Sequence, residues 1–263
     1  MKVLVVMGSP RKGNTYRACT RIEELMKSYG DCTFDYLMLK DADLAQCTGC
    51  FVCFLKGEEH CPRKDDAPGI EQKMHDADGV IFASPVYGMN VSGLMKVFVD
   101  RFSYIFHRPR FFEKKALLLC TTGALGQKDV LKYLGLVAGV WGFDVVDRIG
   151  LITLPGDLPE DLRKKNDDLL GSAAKKFYDA INRMRRSLPG LMDVIVFNAQ
   201  RVSFADLKEE SPADYQYWKE YGWLDRGRKY FVDVPVNPIY HALGRIAGWF
   251  IRRQVRKTKR EKW

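Results

Sequence analysis

Four of the seven cysteines fall within fifteen residues, Cys47, Cys50, Cys53 and Cys61, spaced C-x2-C-x2-C-x7-C. Thiolates at that density suit a metal centre, disulfides, redox chemistry or a tight loop. Zinc takes four thiolates too, usually from two separated C-x2-C pairs. A third cysteine three residues on is more typical of iron–sulfur ligation. The spacing allows the four sulfurs to converge but does not insert a metal, so iron, zinc and a metal-free loop all stay open. His60 is an alternative ligand or, more simply, a solvated loop residue; Phe51 and Phe54 would shield a cluster or merely pack. Cys19, Cys32 and Cys120 lie on regular elements and are expected in the core.

Three other segments carry polar or aromatic groups between glycines. GSPRKGNT, Gly8–Thr15, offers Ser9, Asn14 and Thr15 as hydrogen-bonding groups, Arg11 and Lys12 as cations, and Gly8 and Gly13 for tight turns. A helix starting there adds its N-terminal amides, which makes a phosphate cradle. It is neither a Walker loop nor a GxGxxG fingerprint. SPVYGMNVSG, Ser84–Gly93, is a stiff, partly apolar shelf against which a flat heteroaromatic ring could lie; the plainer reading buries Tyr87 in the core. TTGALG, Thr121–Gly126, again allows close backbone approach.

The elements that must position these segments follow from periodicity. Short apolar runs at Lys2–Met7, Thr33–Leu39, Gly79–Ala83, Lys115–Cys120 and within Phe143–Ile152 read as strands. Helical patterns cover Thr15–Tyr29, Ile70–His75, Ser92–Phe102, Val130–Val140 and Leu162–Met184. Strand and helix alternate five times, the pattern of an α/β protein with an open, doubly wound five-stranded parallel sheet. In such sheets ligands sit beyond the carboxyl ends of the strands, where the three loops lie. Asp65 and Asp66 precede Ala67-Pro68 and are expected to cap a helix. Asp100 and Arg101 end the next helix, with a solvated ion pair as the default reading. The alternation stops near residue 188, so residues 1–187 are expected to form the sheet domain. Residues 188–263 then form a helical extension, with helices at Gly190–Asp206, Ala213–Tyr221 and Pro238–Lys257.

GSPRKGNT, the cysteine segment running into CPRKDD, SPVYGMN and the KVFVDR helix together resemble the flavodoxin-like NAD(P)H-dependent FMN reductases over roughly residues 1–180. The resemblance implies non-covalent FMN, with NAD(P)H as co-substrate. It implies a phosphate site at Ser9, Arg11, Gly13, Asn14 and Thr15, and an isoalloxazine site at Pro85, Val86, Tyr87, Gly88, Met89 and Asn90. Thr121, Thr122 and Gly123 complete it. The flavin carries the chemistry, so no side chain is expected to act as a nucleophile. The cysteine segment resembles that of the iron–sulfur flavoproteins of the same family, which implies a [4Fe–4S] cluster on Cys47, Cys50, Cys53 and Cys61. Clusterless members keep a similar segment as a folded loop. The activity implied is oxidoreduction from NAD(P)H through FMN to a quinone, nitro compound, flavin or iron–sulfur acceptor. The alternative is an electron carrier serving a ferredoxin-like partner. A homodimer or homotetramer is also implied.

The chain has 263 residues and a net charge of +9, of which +6 sits in residues 252–263, where seven Lys and Arg face Glu261 alone. A near-neutral body argues against nucleic-acid binding. The first apolar run is too short for a signal peptide, and no stretch offers the ~20 apolar residues of a spanning helix, so a soluble, cytoplasmic protein is expected. Reduced thiols go with that compartment and disfavour disulfides. In Pro238–Lys257, Ile239, Leu243, Ile246 and Phe250, with Val255 less regularly, mark one helix face, and Trp249 and Trp263 add aromatic surface. That face is expected to pack on the protein itself or on a subunit partner; contact with a membrane surface is the less favoured alternative.

Overall fold

The structure, a computed structural model, describes residues 1–154, 156–183 and 185–261, with side chains to Lys257. Met184 and Trp263, which figure in the expectations above, lie outside the described residues. The chain forms two packing units. The first comprises Met1–Thr48, Asp65–Ser103 and Arg110–Arg186; the second comprises Gly49–Lys64, Tyr104–Pro109 and the chain from Ser187. The sequence pattern, read as a cut at residue 187, gives no sign of the two short excursions.

The first unit is the flavodoxin-like α/β body. Its elements are β1 (Lys2–Met7), α1 (Asn14–Tyr29), β2 (Thr33–Met38), β3 (Gly79–Pro85), β4 (Lys115–Thr122) and β5 (Asp144–Ile152) with their helices. The five strands are all parallel in the order β2-β1-β3-β4-β5, the flavodoxin order. All residues of β3 and β4 are buried, because helices cover both faces and leave no solvated side to alternate with. On one face Val3, Val5, Met7, Ile81, Leu117 and Leu119 pack against Ala18, Cys19 and Ile22 of α1 and against Ala173, Ala174 and Phe177 of a later long helix. On the other, Phe82 meets Phe98, Trp141 and Phe143 at ring separations of 6.4, 6.2 and 5.4 Å. Truncating Phe82 to alanine removes about 3–5 kcal/mol from such a core. Cys19, Cys32 and Cys120 are buried as expected, and burial pushes the Cys120 thiol up to about 12.

The second unit contains the one-turn helix α2 (Val52–Leu55) of the cysteine segment. The first unit's remaining helices are α3 (Ala67–Asp76), α4 (Gly93–Arg101), α5 (Gln127–Trp141) and α6 (Glu160–Arg183). The second unit adds α7 (Leu191–Asp206), α8 (Pro212–Glu220) and α9 (Pro238–Glu261). Trp218, Trp223, Phe197 and Phe231 form its aromatic core, with Trp218–Trp223 at 5.1 Å and Phe197–Phe231 at 4.8 Å. Helix α9 lies on α7 through its glycines. A Cβ on Gly244 would come within 2.7 Å of Asn198 Nδ2, and one on Gly248 within 3.2 Å of the Asn198 carbonyl. The expectation that Ile239, Leu243, Ile246 and Phe250 pack on the chain is therefore corrected. The glycine face, not the apolar face, meets α7, and those four residues are exposed. No helix among the described residues is long and apolar enough to cross a membrane.

Candidate functional site

Strands β1, β3, β4 and β5 all end at the same edge of the parallel sheet, so the loops that follow them face one space. That space is a cavity of about 310 Å³. It is lined by Ser9, Arg11, Gly13, Asn14 and Thr15 after β1; Pro85, Val86 and Tyr87 at the end of β3; Thr121, Thr122 and Gly123 at the end of β4; and Thr153 after β5.

The β1 loop is held by backbone contacts that demand a small residue at its start. Gly8 N donates to Ala83 O at 2.8 Å, and Ser92 Oγ donates to Gly8 O at 2.6 Å. A Cβ on Gly8 would sit 3.0 Å from both Met95 Cβ and Ser92 Oγ. Ser9 Oγ donates to Arg11 O at 2.8 Å, which curls the chain back toward α1. Helix α1 begins after Gly13 with no side-chain cap and no acidic residue in its first turn. Its first amides, which normally take a capping acceptor, have no side-chain cap, and their partial positive charge favours an anion. Arg11 adds a full cation, and Lys12 leans back over the Tyr16 ring at 5.3 Å. Thr15 and Thr121 hydroxyls meet at 2.7 Å, both buried. The arrangement suits a phosphate monoester: amides at a helix start, hydroxyls on either side and one guanidinium.

The β3 and β4 loops are tied together. Val86 N donates to Thr121 O at 2.8 Å, and Thr153 N to Thr122 O at 2.8 Å. Gly88 and Met89 have φ of +54° and +66°, so they form the centre of a two-residue turn closed by Tyr87 N to Asn90 O at 2.9 Å. Gly88, Met89 and Asn90, expected at the ring site, are not among the cavity-lining residues; they shape the turn beside it. Tyr87 is 45% exposed, so it is not the core residue that the plainer reading made it. Thr153 was missed by sequence reading. Its only signal was its position one residue past the carboxyl end of β5.

The acidic pair after the cysteine segment has a structural task. Asp66 stands at the start of α3 without a side-chain capping bond; its carboxylate accepts from Asp43 N at 2.8 Å. Arg101 is not solvated, contrary to expectation. Its guanidinium grips the Asp65 carboxylate bidentately at 2.7 and 2.9 Å, with both side chains buried. Asp100 pairs instead with Lys96 on the surface. Burial by itself raises the Asp65 carboxyl, but the Arg101 bonds and the amides of Ala67 and Ala45 prevail and hold it below the usual carboxylate range.

Of the four clustered cysteines, Cys47 belongs to the first unit, and Cys50, Cys53 and Cys61 to the second. Cys47 and Cys50 are exposed, Cys53 and Cys61 half-buried. Among the described residues no three His, Cys, Asp or Glu side chains stand close enough to hold a metal ion. The donor set is the one a [4Fe–4S] cubane takes. Within the second unit the segment is anchored by residues that periodicity could not flag. Arg108 donates to Cys53 O and to Glu58 Oε2, both at 2.7 Å. Its Nε lies 3.1 Å from Oδ1 of Asp214, whose other oxygen meets His107 Nδ1 at 2.7 Å. The His107 ring stacks on Phe54 at 4.4 Å. His60 is exposed, beside Glu59.

Residues 1–152 match the family model described as NADPH-dependent FMN reductase. The chain belongs to that family. It is 30% identical over 230 residues to an iron-sulfur flavoprotein of Archaeoglobus fulgidus, covering 85% of this chain and all of that one. It is 28% identical over 231 residues to one from Clostridioides difficile, covering 84% of this chain and 99% of that one. In fold it resembles a solved structure of RosB with bound 8-demethyl-8-formylriboflavin-5'-phosphate, with a TM-score of 0.54 at 16% identity over 90% of this chain and 92% of that one. The protein is thus an NAD(P)H-dependent FMN oxidoreductase of the group that includes the iron–sulfur flavoproteins. The uncapped start of α1 and the flanking hydroxyls fit the phosphate end of FMN, the cofactor that the family uses.

Proposed function

We propose that this FMN reductase seats its cofactor in the cavity at the carboxyl edge of the sheet and passes electrons from NAD(P)H to a small-molecule acceptor or a redox protein. The observation that carries this reading is the convergence of the β1, β3, β4 and β5 loops on one cavity whose lining includes a helix start without a side-chain cap. When bound, FMN accepts a hydride and returns electrons singly or in pairs. The chain's own residues do the rest. Ser9, Arg11, Asn14 and Thr15 bind the phosphate, with the first amides of α1. Pro85, Val86, Tyr87, Thr121, Thr122 and Gly123 would hold the ring. Gly123 has open space where a Cβ would stand, which lets the backbone approach the ring. Gly88, Met89 and Asn90 hold the turn that carries Tyr87.

Calorimetric titration of apoprotein with FMN tests the site, and rapid-mixing absorbance with NADH and NADPH tests the reaction. Binding near one FMN per chain and bleaching of the flavin by either nucleotide are expected. Flavin that stays oxidised with both nucleotides yet exchanges rapidly with reduced ferredoxin would favour the electron-carrier alternative.

The similarity to iron–sulfur flavoproteins, together with the C-x2-C-x2-C-x7-C spacing, supports a [4Fe–4S] cluster on Cys47, Cys50, Cys53 and Cys61. Iron and sulfide analysis of anaerobically purified protein decides the point: zinc alone, or fully active protein without iron, removes the cluster. A homodimer or homotetramer is part of the same reading, and light scattering tests it.

A further inference from the structure

Helix α9 has two unlike faces. One carries Gly244 and Gly248 and lies against Val194 and Asn198 of α7. Arg252 and Arg256 continue that side and are taken up by Asp206, at 3.1 and 2.8 Å. Burial tends to raise the Asp206 carboxyl, but hydrogen bonds from Arg256 and Arg252 hold it below the usual carboxylate range. The opposite face carries Ile239, Leu243, Ile246 and Phe250, which are 42–67% exposed. With 3.6 residues per turn these four fall on one stripe about 16 Å long. Arg253 and Lys257 extend the same stripe, and Trp249 borders it.

An exposed apolar stripe of this size calls for a partner, and the charge around it indicates which. Between Pro238 and Lys257 the helix contains no Asp or Glu. Trp249, Arg252, Arg253, Arg256 and Lys257 line a groove of about 670 Å³, and Arg253 lies 5.9 Å over the Trp249 ring. The sequence from 252 on carries +6. A symmetric contact with α9 of a second copy would bring the same cations and no matching acids. A bilayer with anionic headgroups supplies both the apolar depth and the negative surface. Apolar side chains on one face, Trp at the border and cations at one end are the features of helices that lie in a membrane interface.

We propose that α9 docks the enzyme on anionic lipid bilayers, with Ile239, Leu243, Ile246 and Phe250 entering the headgroup boundary. Arg253 and Lys257 contact lipid phosphates. The helix lies on the surface and does not span it.

The test is co-sedimentation of the full-length, FMN-loaded chain with vesicles of phosphatidylcholine alone and of phosphatidylcholine mixed with phosphatidylglycerol. Binding to the mixed vesicles only is expected, with the tryptophan emission shifting to the blue. I246D/F250D should abolish binding. R253Q/K257Q should weaken it about 25-fold, since each cation near such a surface is worth about fivefold. Both pairs are on the exposed face, so retention of bound FMN and an unchanged circular dichroism spectrum establish that the variants fold. Wild-type protein that stays in the supernatant with both vesicles overturns the proposal, and so does equal binding to neutral and anionic vesicles. Light scattering adds a further arm: if I246D/F250D turns an oligomer into a monomer while no vesicle is bound, the stripe is a subunit contact and the proposal fails. None of these readouts depends on the identity of the electron acceptor.

Discussion

The hydroxyls of Thr15 and Thr121, 106 residues apart in the chain, meet at 2.7 Å inside the cavity wall. They join the start of α1 to the end of β4, the two segments proposed to hold the phosphate and the ring of FMN. Thr121→Val keeps the shape but leaves the Thr15 hydroxyl buried without that partner, at a cost of about 1–3 kcal/mol. FMN titration of the variant is expected to show affinity lower by about tenfold. Unchanged affinity would mean that the two loops are positioned independently.

Asn14 opens α1, and its side-chain oxygen accepts from Arg17. Asn14→Asp places a negative charge at the helix start. That stabilises the folded protein by about 0.5 kcal/mol through the helix dipole yet opposes a phosphate in the same place. Chemical denaturation of the apoprotein and FMN titration should move in opposite directions, with stability up and affinity down by at least about tenfold. If FMN affinity is unaffected, its phosphate is not held at the start of α1.

Arg108 links the cysteine segment to Asp214, which is fully buried. Arg108→Met leaves that carboxylate without its guanidinium, which destabilises the fold by about 3–5 kcal/mol. Urea unfolding measures the loss, and limited proteolysis should show faster cleavage within residues 49–64. Arg108→Lys keeps the charge but not the fork that reaches Cys53 O and Glu58, so it should rescue only part of the stability. Cleavage of that segment at the wild-type rate in Arg108→Met would show that it is held by something else.

Asp65 and Arg101 make the stability acid-sensitive in a definite direction. The folded-state pKa of Asp65 is depressed, so its contribution is fully present above the ordinary Asp value of about 3.9 and is lost as pH falls through the lower folded value. Asp65→Asn should cost about 3 kcal/mol at neutral pH. It should also show a shallower loss of stability in acid, because that site no longer titrates. Urea midpoints measured down to about pH 3 check this; parallel acid profiles for the two proteins would rule the pair out as a source of acid sensitivity.

By itself the sequence determined the sheet body and most of the cavity. The apolar runs of β1, β3 and β4 are continuous because both faces are covered, and the loop after β1 carries the glycines, hydroxyls and cations that a phosphate needs, so Ser9 and Thr15 were legible from local pattern, whereas Pro85 and Thr121 came from the family resemblance. The same pattern located the helices, since period and turn chemistry are local properties. Only the tertiary structure decided that Thr153 joins the cavity, that Arg101 is buried on Asp65, and that Arg108 and Asp214 hold the cysteine segment. Those facts depend on which distant side chains share a low-dielectric space, and single positions leave no periodic trace of that. It also overturned the expected packing of the apolar face of α9 on the protein itself. Apolar residues at helical spacing show that a face exists, but close packing through Gly244 and Gly248 took the neighbouring face and left the apolar one outside.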